Sequence, residues 1–212
     1  MRALIVVDIQ NDFLPGGALA VAHGDETIAV ANAVMPAFDV VVATQDWHPA
    51  DHRSFAVHHP GRAVGEVVEV GGVPQVLWPV HCVERTRGAA FAEALAVDRV
   101  AAVFAKGMDR EVDSYSGFFD NGRRHATGLA DWLRARGVTR VAVLGLALDY
   151  CVKFTALDAA EQGFETRLIV DGCRAVELTP GDGARAIAEM QAAGIEVVDS
   201  RTVRAEARGG AA

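Results

Sequence analysis

Val40-Val41-Val42-Ala43-Thr44-Gln45-Asp46-Trp47-His48-Pro49 is an apolar run that closes on a carboxylate and an imidazole two residues apart. A short continuous apolar run suits a strand covered on both faces, the kind found in parallel sheets with helices above and below. Comparable runs recur at Ala3 to Val7, Val100 to Ala105, Val138 to Leu144, Thr166 to Val170 and Ile195 to Val198. The segments between them carry helix signals. Asp25 is placed to cap a helix through about Ala37, Thr127 one that ends at Gly137, and Thr179 with Pro180 one that Gly194 stops. A further helix is expected from Asp149 to Gln162, ended by Gly163. This alternation predicts an α/β fold: a doubly wound, mainly parallel six-stranded sheet with helices on both faces. Its crossovers should be right-handed, with the ligand site outside the carboxyl ends of the strands.

With 212 residues, 51% of them hydrophobic, and no composition break, the chain is expected to form a single domain over residues 1–204. Residues 46–88 form an insertion too long for an ordinary connection, with a small hairpin around Val67 to Val73; residues 205–212 read as a frayed tail. The formal charge of -8 is spread without a basic cluster, which argues against nucleic acid or an anionic membrane as partner and favours a small soluble substrate. The amino-terminal run meets Asp8 without a signal-peptide pattern, and no apolar stretch is long enough to span a membrane, so a cytoplasmic location is expected. Cys82, Cys151 and Cys173 are odd in number and widely spaced, and each reads as a free thiol.

Extended residues at i and i+2 point the same way, so Asp46 and His48 can grip one metal ion, with His81 in Leu77-Trp78-Pro79-Val80-His81-Cys82 as a third ligand. One carboxylate and two imidazoles leave positions open for water or substrate, which marks a site for chemistry rather than a closed structural site. His52, His58 and His59 share the loop as rival ligands, whereas His23 and His125 read as ordinary polar positions. Asp8, Lys106 and Cys151 each follow a predicted strand and so fall along one edge of the sheet. Together they form a hydrolytic set of base, ammonium and thiol. Taken singly, the aspartate reads as a turn residue, the lysine as a solvated charge and the cysteine as core filler. A helix start near Cys151 and a neighbouring lysine are expected to lower the thiol pKa. Backbone N–H groups of the preceding turn are placed to hold an oxyanion.

These motifs resemble the nicotinamidase branch of the isochorismatase-like cysteine hydrolases. The likeness runs from Val6-Val7-Asp8-Ile9-Gln10-Asn11-Asp12-Phe13 through Thr44-Gln45-Asp46-Trp47-His48-Pro49, Ser54-Phe55-Ala56, Lys106-Gly107 and Tyr115-Ser116-Gly117-Phe118 to Gly145-Leu146-Ala147-Leu148-Asp149-Tyr150-Cys151. The resemblance implies a triad of Asp8, Lys106 and Cys151, oxyanion-hole amides at Ala147 and Cys151, and a cis peptide before Ala147. It implies metal ligation by Asp46, His48 and His81, with Ser54 reaching the ion directly or through water, and a ring pocket of Phe13, Leu19, Trp78 and Tyr115. The implied cofactor is one divalent ion, zinc first, with iron or manganese as alternatives. The implied reaction is hydrolysis of nicotinamide, and of pyrazinamide, in pyridine-nucleotide salvage; a homo-oligomer is left open. Leu148 departs from the family's usual Thr within the oxyanion loop. The competing readings are another ureido or carbamoyl amidohydrolase of the superfamily, a noncatalytic metal-binding scaffold, and a redox sensor built on Cys151.

Overall fold

The computed structural model describes residues 1–209. Its main sheet has six strands: β1 (Arg2–Val7), β2 (Val40–Asp46), β5 (Ala102–Lys106), β6 (Arg140–Leu146), β7 (Glu165–Arg174) and β8 (Glu196–Val198). They lie in the order β5-β2-β1-β6-β7-β8, and every neighbouring pair is parallel. The chain winds outward from β1 through β2 to β5, then returns to β6 and winds the other way. The crevice between β1 and β6 is therefore the switch point at which such sheets bind ligands. Ala3 to Val7 and Val143 to Leu144 are wholly buried, as strands flanked on both sides and covered on both faces must be.

Helices α1 (Glu26–Val34) and α5 (Ser200–Gly209) pack on each other and on β7, while α3 (Lys153–Glu161) and α4 (Asp182–Ala192) form a second packed pair. The short α2 (Leu129–Arg134) precedes β6. Among the described residues, no helix is long and apolar enough to cross a membrane.

Several boundaries differ from the sequence expectation for local reasons. Asp25 makes no capping hydrogen bond, and a 3-10 turn at Met35–Ala37 carries the chain from α1 to Phe38. Gly181, at φ +89°, is left-handed, so α4 starts at Asp182 rather than at Pro180. Leu148–Val152 form a π turn in which the N–H groups of Tyr150 and Val152 both donate to Ala147 O, which delays α3 to Lys153. Strand β7 runs beyond Val170 because a bulge between Val143 and Gly145 lets pairing resume at Gly145 and Cys173. The expected fraying does not hold for residues 205–209, which complete α5; Val203 is buried and Glu206 pairs with Arg167 at 2.7 Å. The rest of that tail, residues 210–212, lies outside the described residues. The insertion carries its hairpin as β3 (Val67–Val70) and β4 (Val73–Val76), turned by Gly71 and Gly72 at positive φ.

Glycine is required where β6 meets β1. Gly145 has φ +129°, and a Cβ there would lie 2.0 Å from Val7 O. Gly163 ends α3 at φ +87° with open space around it. In thermal or chemical unfolding, Gly163→Ala is expected to cost about 1 kcal/mol, the left-handed penalty alone. Gly145→Ala should cost several times more, since backbone must separate from backbone.

Candidate active site and metal centre

The carboxyl ends of β1, β2, β5 and β6 bring four reactive side chains together. Lys106, the last residue of β5, is paired in register with Asp46, the last residue of β2. Its Nζ lies 2.5 Å from Asp46 Oδ1, 2.8 Å from Asp8 Oδ2, 2.9 Å from Ser114 O and 3.3 Å from Cys151 Sγ. All of these side chains are buried, with Lys106 only 2% exposed. Asp8, Asp46 and Cys151 each present an atom within 4.8 Å of the others. Thr44 Oγ1 donates to Asp8 Oδ1 at 2.6 Å, one strand over.

Burial opposes the charge on Lys106, but Asp46 and Asp8 outweigh it and hold the ammonium well above its ordinary pKa. Asp8 is pushed up to about 6 by burial, against the pull of Lys106. Asp46 is held well below the carboxylate range, because Lys106 and His48 overcome its burial. The expected lowering of the Cys151 thiol is not found. Burial pushes it well up, Lys106 pulls it down, and Asp8 and Asp46 push it up again.

Beside this cluster, Asp46 Oδ2 lies 3.6 Å from His48 Nε2 and 3.9 Å from His81 Nε2. Each imidazole donates its other N–H to a backbone carbonyl: His48 Nδ1 to Gly107 O and His81 Nδ1 to Pro79 O, both at 2.8 Å. With Nδ1 committed, each Nε2 faces Asp46, which pulls His48 toward its protonated form against burial. His48 Nε2 is buried without a hydrogen-bond partner, and burial with the neighbouring His48 pushes His81 down to about 4. A buried, unpartnered Nε2 beside an ionised carboxylate and a neutral imidazole fits a divalent cation that would take the place of the His48 proton.

The other histidines divide clearly. His58 and His59 reach the carbonyls of Ala50 and Arg53, and His23 and His125 pair with Glu26 and Asp120. His52 is buried against His48, their ring centroids 4.4 Å apart, and forms a second potential ligand group with His48 and Asp113. Ser54 Oγ sits 2.7 Å from His52 Nδ1. Cys82 and Cys173 are buried free thiols.

Phe13, Leu19, Trp78 and Tyr115 line one cavity with Cys151, Ala147, Asp46, His81, Asp113, Tyr150 and Val176. The peptide between Leu146 and Ala147 is cis. Leu148 is buried in the main core.

Several supporting residues escaped the sequence reading. Gln10 donates to Asp46 O and Ala89 O and accepts from Asp46 N, all at 2.8 Å, and so clamps the carboxylate's own backbone. Its position two residues after Asp8, like that of Thr44 two before Asp46, is the signal that was available. Asp149 accepts the N–H groups of Val176 and Glu177 at 2.9 Å, tying the turn before Cys151 to the pocket wall.

Against known proteins, the isochorismatase domain matches residues 2–202. The nicotinamidase of Escherichia coli (strain K12) is 51% identical over 91% of this chain and 92% of its own length. A nicotinamidase/pyrazinamidase structure from Acinetobacter baumanii superposes with a TM-score of 0.92 at 42% identity, covering 95% of this chain and 97% of that one. A pyrazinamidase of Pyrococcus horikoshii in complex with zinc gives 0.76 at 40%, covering 93% and 98%. With the fold, the switch-point crevice and this extent of likeness in agreement, the chain belongs to the isochorismatase domain family.

Proposed function

We propose that this chain hydrolyses nicotinamide to nicotinate and ammonia, and pyrazinamide likewise, through a thioester on Cys151. The observation that carries the reading is one buried ammonium, Lys106 Nζ, touching both Asp8 and Asp46 and lying 3.3 Å from the Cys151 sulfur. Relatives named as nicotinamidases and pyrazinamidases supply the substrate class. A flat ring suits a cavity walled by Phe13, Trp78, Tyr115 and Leu19.

Asp8, with a pKa near 6, is ionised at neutral pH and takes the thiol proton as the sulfur attacks the carboxamide carbon. The N–H groups of Ala147 and Cys151 receive the developing oxyanion. Asp8 returns its proton to the departing ammonia, then deprotonates the water that attacks the thioester and passes that proton to the departing Cys151 sulfur, releasing the acid and restoring the thiol. Lys106 stays charged throughout and balances the two carboxylates. Asp46, His48 and His81 would hold one divalent ion, zinc by analogy with the Pyrococcus horikoshii protein, with Ser54 reaching it directly or through water. When bound, the ion supplies a Lewis-acidic centre that orients the ring. A single catalytic domain, a cytoplasmic setting and a role in pyridine-nucleotide salvage accompany this reading.

Cys151→Ala is expected to lower ammonia release from nicotinamide by at least about a thousandfold while the circular dichroism stays unchanged; near-normal turnover would exclude the mechanism. Gly107→Ala tests the metal centre. A Cβ at Gly107, where φ is +66°, would lie 2.3 Å from His48 Cε1 and force the imidazole off its carbonyl. Metal retained after dialysis, measured by elemental analysis, should correspond to an affinity about 10–100-fold weaker. Alkylation of Cys151 by iodoacetamide should persist.

A further inference from the structure

The β3–β4 hairpin stands apart from the main sheet, and its two faces differ. Val67, Glu69 and Pro74 face outward and are exposed, whereas Val70 and Gln75 face inward and are buried. Gln75 is 4% exposed and is the buried polar side chain of this hairpin. Its Nε2 lies 2.7 Å from Val76 O, 3.1 Å from Asp113 Oδ2 and 3.3 Å from Tyr115 Oη, so its two hydrogens serve three acceptors with one of them shared. The reversed amide would aim its oxygen at a carbonyl and a carboxylate, so these neighbours fix its orientation.

Tyr115 Oη also accepts from Trp78 Nε1 at 3.2 Å. Two donors therefore converge on one phenolic oxygen. Tyr150 completes the wall, with ring centroids 4.9 Å from Trp78 and 5.3 Å from Tyr115. Asp113, Trp78, Tyr115 and Tyr150 line the cavity that holds Cys151, while Gln75 does not. Gln75 thus acts through its neighbours.

We propose that Gln75 is a positioning and specificity-determining residue: its amide holds the Tyr115 hydroxyl and the Asp113 carboxylate, so the hairpin fixes the wall against which the substrate ring lies. The inference rests on the amide-hydrolase reading above and deepens it. Among the described residues the Gln75 amide hydrogen-bonds to Val76, Asp113 and Tyr115 rather than to the sulfur, Asp8 or Lys106, so its loss weakens ring binding and leaves the acyl chemistry in place. The hairpin keeps its other anchors when the amide is removed. Arg124 donates to Gly71 O at the tip, and Gly65 and Leu77 N–H groups donate to Leu77 O and Glu66 O at the base.

The test is steady-state ammonia release by metal-loaded wild type, Gln75→Leu and Gln75→Ala. Nicotinamide is compared with the bulkier 5-methylnicotinamide, and rates are normalised to titrated Cys151 thiol. For nicotinamide, KM is expected to rise about tenfold with kcat within about threefold, the mark of lost ground-state binding. The preference for nicotinamide over the methylated ring should narrow. Unchanged KM and preference in both variants would overturn the proposal. So would equal loss of kcat on both substrates at constant KM, which is what a purely structural role produces. A wild-type enzyme that turns over neither amide would overturn the hydrolase reading and this inference with it.

Discussion

Two carboxylates are buried against one ammonium, and the rest of the site follows from that imbalance. Removing a carboxylate from water costs several kcal/mol, repaid only by close opposite charge and hydrogen bonds. Asp46 receives the shorter contact with Lys106, 2.5 Å, together with two imidazoles; Asp8 receives 2.8 Å and the Thr44 hydroxyl. The unequal share separates their titrations. Asp46 is held ionised, as a metal ligand must be, while Asp8 rises to about 6, where a carboxylate can take and return a proton near neutrality. One lysine thereby separates the titrations of two chemically identical groups, as the proposed roles of ligand and base require.

The main chain enforces this division. Gln10 clamps the backbone of Asp46 on both sides, and the carbonyls of Gly107 and Pro79 set the two imidazoles. The donor set is therefore held by backbone whose position the sheet determines, and binding an ion requires little reorganisation. Gly107 serves this arrangement through its left-handed backbone, which leaves room for the His48 ring above it.

The sheet was legible because β-branched runs betray buried strands whatever lies around them. The strand ends were legible with it, and they place Asp8, Lys106 and Cys151 on one edge. Register was not. That Asp46 and Lys106 are cross-strand partners depends on how β2 and β5 slide past each other, which no local pattern encodes. Gln75 was equally hidden, since its burial depends on the hairpin folding back over Tyr115 and Asp113. The carboxyl-terminal helix was missed because its Ala- and Arg-rich composition looks like a polar tail. Its structure depends on a narrow contact through Val203 and on the distant Arg167.

The raised pKa of Cys151 runs against the usual picture of an activated cysteine, yet it suits this site. A thiolate formed at rest would place a third negative charge beside Asp8 and Asp46, with Lys106 pulling the other way. Keeping the sulfur protonated avoids that repulsion, and in the proposed mechanism its proton moves to Asp8 as carbon–sulfur bond formation spreads the charge onto the oxyanion amides. The thiol is then reactive toward small carboxamides that enter its cavity, iodoacetamide among them. A redox sensor needs the opposite, an exposed thiol of low pKa near a resolving partner. Cys151 is buried, Cys173 is buried and pushed up to about 12, and Cys82 is buried with its N–H committed to Asp12. The same burial that silences oxidation confines this cysteine's chemistry to the substrate that fills its cavity.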